Sequence, residues 1–316
     1  MDMTKANYLW GHDGRYNDFP SYFRNKFTER VQKISVDAGF TCPNRDGSKG
    51  VGGCTYCNNN SFNPPYCSPK KSVSQQIDEG IAFFKKYKTQ QYLVYFQAYS
   101  NTYASLEKIK ELYQEALDHE KVIGLVIGTR PDCISDDVIN YLESLAEEYY
   151  ISVEYGVESA NDEALRFINR CHDYQEAVQT IQRTAHRGIH IGVHLVNGLP
   201  FDSKASMLEH AVALSRLPID TLKMHQLQIL NNTLMAKQFE QEPELFYLFE
   251  MEEYLDFIID VIERINPRIM LERFINQVPA GWLIAPKWGI KNYEFVNKLN
   301  NQLKVRDTWQ GRLHID

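Results

Sequence analysis

The sequence lacks any run of about 18 consecutive apolar residues, the length that a helix needs to cross a bilayer. Its first segment, MDMTKANYLWGHDGRYNDFP, contains no apolar stretch of signal-peptide length. No biased repeat of the collagen, coiled-coil or disordered type runs through it. These absences exclude a membrane span and lead us to expect a soluble globular protein of the cytoplasm, with no membrane partner.

Cysteine is scarce, with 6 residues in 316, which is too few for a disulfide scaffold. Four of them are clustered, at Cys42, Cys54, Cys57 and Cys67, whereas the other two are isolated. In a reducing compartment such a cluster indicates a metal or redox site. We expect the isolated pair to be small, half-buried residues without a role in that site. They are Cys133 and Cys171.

An overall excess of basic charge is also absent, since 34 Lys and Arg stand against 41 Asp and Glu. The net charge of −7 argues against a strongly basic nucleic-acid-binding protein. The two ends of the chain differ from this average, because residues 1–71 and residues 273–316 each carry a net charge of +4. In both segments aromatic residues lie between the basic residues. Phosphate contacts combined with stacking aromatics are how single-stranded RNA loops are held. The alternative is that these are solvated charges beside core aromatics.

Short apolar runs alternate with amphipathic helical patterns through the first 230 residues. The predicted strands lie at 33–36, 92–98, 122–128, 151–157, 190–196 and 221–229. Helical patterns lie between them, and Ser135 is placed to cap a helix at 136–148. Six strand–helix units are too few for a closed eight-stranded barrel. They predict an α/β fold, a partial (β/α)6 TIM-like barrel with functional loops at the carboxyl ends of its strands.

From about residue 231 the pattern changes. One long amphipathic helix over 254–265 is ended by Asn266-Pro267, and a short strand at 269–272 precedes a tail with Trp and Lys. We therefore divide the chain into a core barrel with an N-terminal extension, 1–230, and a C-terminal α+β extension, 231–316. The extension is expected to cover one side or the mouth of the barrel.

The Gly-rich segment CPNRDGSKGVGGCTYC carries Cys42, Cys54 and Cys57 and directly follows the first predicted strand. Three thiolates from one flexible loop can bind three irons of a [4Fe–4S] cluster and leave the fourth iron open to a ligand. Structural zinc normally takes four ligands, often from two Cys-x-x-Cys pairs, and only one pair is present here. With Cys67 as a fourth ligand, zinc or a closed cluster stays an alternative to the open cluster that we favour.

Several segments together resemble the radical S-adenosylmethionine (radical SAM) superfamily. They are the cysteine loop, QAYSNTYA, GTRPD, YGVES followed by INR, and HLVNGLP. More closely, they resemble the YhcC/YtqA-like group related to the catalytic subunit of elongator, over essentially the whole chain. The spacing between the first two cysteines of the loop is longer than the spacing most common in the superfamily. The elongator-related branches also have a longer first spacing. The resemblance implies a radical SAM barrel, a [4Fe–4S] cluster, S-adenosylmethionine, and an electron donor such as flavodoxin or ferredoxin.

The resemblance also implies roles for residues near the cysteine loop. Cys42, Cys54 and Cys57 would bind the cluster as its metal ligands, and Tyr56 would pack on the adenine of S-adenosylmethionine. The segment after the second strand stands where relatives have a Gly-Gly pair whose backbone meets the methionine amino group. This sequence lacks those glycines, so three residues are assigned by position only: Ala98, Tyr99 and Ser100.

Three further cofactor contacts follow from the resemblance. Glu158 stands where relatives often carry Gln and would contact the polar end of the ligand. Arg170 matches an arginine that pairs with the methionine carboxylate, a task suited to a guanidinium fork. His194 falls where relatives place a ribose contact. The alternatives are that Arg170 is a surface charge at a helix end and that His194 is a satisfied core imidazole.

The implied mechanism is reductive cleavage of S-adenosylmethionine to a 5′-deoxyadenosyl radical, which abstracts hydrogen from a substrate carbon. Kinship with elongator implies tRNA as the partner and the wobble uridine side chain as the target. The chain has no acetyltransferase-sized second domain, so we expect remodelling of an existing side chain, with carboxymethylaminomethyl-uridine converted to aminomethyl-uridine. The alternatives are a radical enzyme acting on a small metabolite or a protein side chain, and a non-enzymatic zinc or redox cysteine module.

Overall fold

The computed structural model describes residues 8–61, 63–85, 90–279 and 281–315. Its strands are β1 (Arg30–Val36), β2 (Gln90–Phe96), β3 (Val122–Thr129), β4 (Tyr150–Glu158), β5 (His190–Asn197), β6 (Thr221–Gln226), β7 (Ile229–Leu230), β8 (Met270–Arg273) and β9 (Leu283–Ala285). Strands β1 to β6 and β8 form one sheet in chain order, and every pairing in it is parallel. Strands β7 and β9 form a separate antiparallel pair.

The parallel sheet is curled so strongly that side chains of its two edge strands meet. Nζ of Lys33 in β1 donates to Oε1 of Glu272 in β8 at 2.6 Å, although these strands stand at opposite edges. Asp18, just before the first helix, forms a parallel bridge with Leu271, so that the first helix contacts both edges. The sheet is therefore an open half-barrel with a bore on its concave face.

Helices link successive strands, as parallel pairing requires. They are α1 (Phe19–Lys26), α2 (Val73–Phe83), α3 (Leu106–Leu117), α4 (Asp136–Ala146), α5 (Asp162–Phe167), α6 (Tyr174–Thr184), α7 (Lys204–Ser215), α8 (Leu234–Gln241), α9 (Met251–Arg264) and α10 (Asn292–Val305). The predicted cap is confirmed, since Oγ of Ser135 accepts a hydrogen bond from the amide of Val138 at 3.3 Å. In the described ranges no helix is long and apolar enough to cross a bilayer.

One hydrophobic core joins the barrel to the C-terminal helices. Buried side chains of α9 and α10, such as Ile258 and Phe295, belong to the same cluster as Val94 of β2 and Val153 of β4. A parallel sheet is buried on both faces, which is why its strands are nearly continuous apolar runs in the sequence. The predicted partial barrel of parallel strands and helices is confirmed.

Within the described residues the sheet has seven strands, whereas the sequence pattern predicted six. The additional strand is β8, which was predicted as part of the C-terminal extension but pairs in parallel with β6. The predicted division at residue 230 thus separates β8 from the sheet to which it is hydrogen-bonded. The predicted strand 221–229 is divided in the structure, because β6 ends at Gln226 and β7 pairs with β9 instead.

Candidate functional site

The cysteine loop lies at the carboxyl ends of the strands, directly after β1. Cys42, Cys54 and Cys57 line one cavity of about 230 Å³. The amide of Arg45 donates to the carbonyl of Cys42, and that of Cys57 to the carbonyl of Cys54, both at 2.9 Å. Gly53 has a φ of +82°, and a Cβ there would lie 3.0 Å from Nη1 of Arg45, so the loop needs glycine at this point. The structure therefore brings together the three predicted ligands.

Side-chain N–H groups face two of the three thiols. Sγ of Cys54 lies 3.5 Å from Nη1 of Arg170 and 3.6 Å from Nδ2 of Asn44. Sγ of Cys57 lies 3.7 Å from Nδ2 of Asn59. Donors of this kind stabilise thiolate sulfur and tune an iron–sulfur cluster. Burial and the neighbouring Cys54 raise the pKa of the Cys57 thiol to about 12, so this thiol loses its proton only when a metal binds.

The remaining cysteines lie outside this group of three. Sγ of Cys67 donates to the carbonyl of Ser35 at 3.1 Å, and Cys67 does not line the cavity. Cys133 is half-buried as predicted, whereas Cys171 is exposed. Across the described segments, no three His, Cys, Asp or Glu side chains are arranged to hold a single metal ion. Three thiols in one cavity fit a cluster in which each thiol binds a different iron.

Arg170 is buried and lines the cavity, so it is not a surface charge. Its guanidinium donates to Nε2 of His172 at 3.0 Å and to the carbonyl of Gly156, and Nη2 lies 3.5 Å from Oε1 of Glu158. Although burial opposes the charge, Tyr56 and the Cys54 and Glu158 side chains raise the pKa of Arg170. Burial and the adjacent Arg170 lower the pKa of His172 to about 3, so its imidazole is neutral and can accept this hydrogen bond.

Arg130 is a second buried guanidinium in the cavity, and sequence reasoning did not identify it. It forms two hydrogen bonds of 2.8 Å with Asp132 and donates to the carbonyl of Arg170 at 2.6 Å. Its Nη1 is buried and has no partner in the part of the chain that the structure describes. The available signal was its place in GTRPD at the end of β3. A buried donor without a partner is costly, so it fits a ligand that brings an acceptor.

Glu158 ends β4 in a left-handed conformation, with a φ of +70°. A break in the pairing register with β5 precedes it, between Gly156 and Glu158. A Cβ on Gly156 would lie 2.5 Å from Oε1 of Glu158 and 2.7 Å from Nη2 of Arg170. Strained non-glycine residues are concentrated at functional sites. Here the strained residue is Glu158, and its carboxylate lines the cavity.

The segment after β2 is held against the cysteine loop. The amide of Ser100 donates to the carbonyl of Thr41 at 3.2 Å, and Arg45 lies over the ring of Tyr99 at 5.4 Å. Tyr99 and Ser100 line the cavity, whereas Ala98 is buried and does not. Tyr99 has a φ of +63°. Tyr99 thus has the backbone conformation that glycine usually provides.

Tyr56 and His194 both line the cavity. The ring of Tyr56 packs against a small apolar cluster that includes Val196 and Leu227. Nε2 of His194 is paired with Oε2 of Glu154 at 3.0 Å. His194 is therefore a partnered imidazole, as the alternative proposed, and at the same time a wall of the cavity.

A group of four charges lies in the bore, and two of them, Glu154 and Lys223, line the cavity. Sequence reasoning missed this group. Glu154 accepts hydrogen bonds from Lys33 and Lys223 at 3.2 and 2.6 Å, and Glu272 lies 2.6 and 3.2 Å from the same two lysines. Burial alone would raise the pKa of Glu154, but Lys223 and Lys33 lower it well below its ordinary value. We call these four residues the bore quartet.

The cavity thus combines three thiols, N–H donors aimed at them, the buried guanidiniums of Arg130 and Arg170, and the carboxylate of Glu158, in addition to Glu154, which is held by lysines. These donors fit a thiolate-bound iron–sulfur cluster beside a ligand that carries both an amino group and a carboxylate. Sulfur donors bind the irons, Arg170 and Arg130 offer hydrogen bonds to an anion, and Glu158 offers acceptors to an ammonium group.

Two family models match this chain. One, described as the radical SAM superfamily, matches residues 42–214, and the other, described as the Radical_SAM C-terminal domain, matches residues 219–305. The protein YtqA of Bacillus subtilis is 33% identical over 300 residues, which cover 94% of this chain and 92% of that protein.

More distant similarities extend the comparison. The tRNA uridine(34) acetyltransferase of Methanocaldococcus infernus is 24% identical over 180 residues, 56% of this chain and 32% of that protein. The solved structure of Elp3 from the same archaeon superposes with a TM-score of 0.63 at 15% identity. That superposition covers 89% of this chain and 64% of the Elp3 chain, and it shows likeness of fold alone.

Proposed function

This chain belongs to the radical SAM superfamily, and on that premise we propose that it modifies the side chain of the wobble uridine in tRNA. It is a radical SAM enzyme whose cofactors are a [4Fe–4S] cluster and S-adenosylmethionine. The observation that supports the assignment of the site is the convergence of Cys42, Cys54 and Cys57 on a cavity that also contains the buried Arg170.

We assign the cluster to Cys42, Cys54 and Cys57, and S-adenosylmethionine to the cavity beside them. Arg170 would bind the methionine carboxylate, since its fork is already oriented by His172 and the carbonyl of Gly156. Glu158 would accept hydrogen bonds from the methionine amino group, together with the backbone at Tyr99 and Ser100. Tyr56 would pack on the adenine.

When bound, the reduced cluster and S-adenosylmethionine supply a 5′-deoxyadenosyl radical that removes a hydrogen atom from a substrate carbon. The residues of the chain have to hold the reactants and exclude water from them. Arg170 and Arg130 are buried, and their hydrogen bonds fix their orientation before any ligand arrives. His194 would contact the ribose from its place against Glu154.

The substrate part of the proposal rests on two observations. The chain shares 180 residues of similarity with a tRNA uridine(34) acetyltransferase. In addition, Lys287 and Lys291 follow β9, whose partner β7 contributes Leu230 to the wall of the cavity. Both lysines are exposed. We propose conversion of carboxymethylaminomethyl-uridine to aminomethyl-uridine. The methylene carbon next to the carboxylate would lose a hydrogen atom to the radical and then one electron and one proton, the electron returning to the cluster. Water would hydrolyse the resulting imine to aminomethyl-uridine and glyoxylate, and flavodoxin or ferredoxin would supply the electron that starts cofactor cleavage.

Not every basic residue at the chain ends is available to a partner. Arg312 donates to Oε1 of Glu263 at 2.7 Å, and Arg306 is hydrogen-bonded to Asp256. Nε1 of Trp288 donates to the carbonyl of Phe249 at 2.9 Å. These residues stabilise the C-terminal helices, so the proposed RNA surface is carried by the exposed lysines.

The deciding experiment is nucleoside mass spectrometry of tRNA from a strain that lacks this protein. We expect carboxymethylaminomethyl-uridine to accumulate and aminomethyl-uridine to disappear, with rescue by the wild-type chain and none by Cys54→Ala. The purified, reconstituted protein should perform the same conversion anaerobically with S-adenosylmethionine and a reductant. Unchanged tRNA, together with active cofactor cleavage, would shift the assignment to a small metabolite or protein substrate.

A further inference from the structure

One cation that lines the cavity, Arg273, has no partner among the described residues. Arg273 is the last residue of β8 and lines the cavity. No residue in the described ranges forms a hydrogen bond or an ion pair with its side chain. Its charge acts on Tyr95, Lys223 and His225, which line the same cavity. The guanidinium is therefore directed toward the cavity, although the residue itself is solvent-exposed.

The nearby carboxylates are already neutralised. Within the bore quartet, Glu154 and Glu272 each lie within 3.2 Å of both Lys33 and Lys223. Two lysines therefore balance two carboxylates, and Arg273 adds one positive charge that nothing in the quartet offsets. An isolated charge beside a low-dielectric bore favours an anionic ligand.

Arg273 enters the cavity from strand β8 and not from the cysteine loop. It stands in register with Lys223 on the neighbouring strand β6, on the bore side of the cavity. Arg45 also has no carboxylate partner among the residues that the structure describes, and it lies on the cysteine loop against Tyr99. Beside Arg273, burial lowers the pKa of His225 to about 4, so this imidazole is neutral. A ligand beside Arg273 meets one guanidinium and one neutral imidazole.

We propose that Arg273 binds a carboxylate of the substrate, where the end of strand β8 lines the cavity. This inference rests on the proposed function, because carboxymethylaminomethyl-uridine carries a carboxylate on the group to be altered. A guanidinium matches a carboxylate with two parallel N–H bonds. Aminomethyl-uridine has no carboxylate, so Arg273 distinguishes substrate from product and aids release of the product.

The test is calorimetric titration of the holoenzyme, loaded with cluster and S-adenosylmethionine. The probes are two free nucleosides, 5-carboxymethylaminomethyl-uridine and 5-aminomethyl-uridine, and a second pair, N-methylglycine and dimethylamine. We expect the wild type to bind the first nucleoside at least about tenfold more tightly than the second, the factor typical of a charged hydrogen bond. Arg273→Gln should remove that preference, and Arg273→Lys should retain part of it.

Arg268→Gln is the matched control, since it removes the same charge just before β8, at the opposite end of that strand from the cavity. Arg268→Gln should keep the wild-type preference for 5-carboxymethylaminomethyl-uridine.

If 5-carboxymethylaminomethyl-uridine binds wild type and Arg273→Gln equally, Arg273 contacts something else, such as a tRNA phosphate. The inference is then overturned while the proposed function stands. If neither nucleoside binds but N-methylglycine binds the wild type only, the carboxylate site stands and the wobble uridine assignment fails. If no carboxylate probe binds, the inference is overturned.

Discussion

Nη1 of Arg170 donates to Sγ of Cys54 at 3.5 Å, which joins the segment after α5 to the cysteine loop, 116 positions away in the sequence. The same guanidinium contacts the carbonyl of Gly156 at the end of β4. One side chain therefore touches a proposed cluster ligand and the strand end that orients Glu158. This geometry links cofactor binding to the environment of the cluster, because a change at Arg170 alters both.

Replacing Arg170 with Ala should weaken binding of S-adenosylmethionine by about 1.5–3 kcal/mol, the range for hydrogen bonds to charged groups. The iron content should be unchanged, because the three thiols remain. Calorimetric titration of the reconstituted variant measures the affinity, and iron analysis checks the cluster. Arg166→Ala, an exposed arginine of α5, should leave the affinity unaffected. If Arg170→Ala binds S-adenosylmethionine with the wild-type affinity, Arg170 does not bind the methionine carboxylate.

Replacing Cys54 with Ala should abolish cluster assembly, because the proposed open cluster has three protein ligands and none to spare. Anaerobic reconstitution followed by iron and sulfide analysis measures the loss. Cys67→Ala is the matched control, since its Sγ is bonded to the carbonyl of Ser35 and faces away from the cavity. Full iron content in Cys54→Ala, or its loss in Cys67→Ala, would contradict the ligand assignment.

The sequence predicted the barrel and the cysteine loop because both have local signals. Buried parallel strands are apolar runs, and the three cysteines lie close together in one Gly-rich loop. The bore quartet has no local signal of that kind, since each member is a single residue on a different strand. A charged residue inside an apolar run, such as Glu154 in ISVEYGVE, was the available clue. The pairing of β8 with β6 depends on the curl of the whole sheet. The positions of the strands along the sequence do not indicate this curl.

Replacing Gly156 with Ala should disrupt the cofactor contacts without touching the cysteines. The added methyl group would lie 2.5 Å from Oε1 of Glu158, so the carboxylate and the guanidinium of Arg170 have to move. We expect weaker S-adenosylmethionine binding and a loss of about 1–3 kcal/mol in the free energy of unfolding, as for other overpacked sites. Calorimetry and urea denaturation measure the two effects. At Gly281 a Cβ meets nothing within 4 Å, so Gly281→Ala should match the wild type in both.

The bore quartet should make stability depend on pH through Glu154. Because the pKa of Glu154 is lowered in the folded chain, the ionised carboxylate stabilises the fold fully above the unfolded pKa of ~4.3. This stabilisation is lost as the pH falls from that value through the lower, folded pKa. Glu154→Gln should cost about 3–5 kcal/mol at pH 7, because it leaves buried lysines uncompensated. That difference from the wild type should shrink below about pH 4.3. Urea denaturation of the iron-free chain from pH 7 to acid measures both, with the exposed Glu240→Gln as control. A difference independent of pH would rule out an ionised Glu154.

Neutralising Lys287 and Lys291 should weaken tRNA binding through lost phosphate contacts. Both lysines are exposed beyond β9, in the segment next to the wall of the cavity. Each lost contact should lower the slope of log affinity against log salt by about 0.7–0.9. Arg312 is unsuitable as a probe, because it is paired with Glu263 and its loss would disturb the fold.

The control is Lys121→Ala with Arg268→Ala, which removes two charges near the amino ends of β3 and β8, far from the mouth. The measurement is tRNA affinity at several salt concentrations for wild type, Lys287→Ala/Lys291→Ala and the control. Equal slopes in all three would exclude this surface, and a loss confined to the control would place the RNA at the opposite end of the barrel.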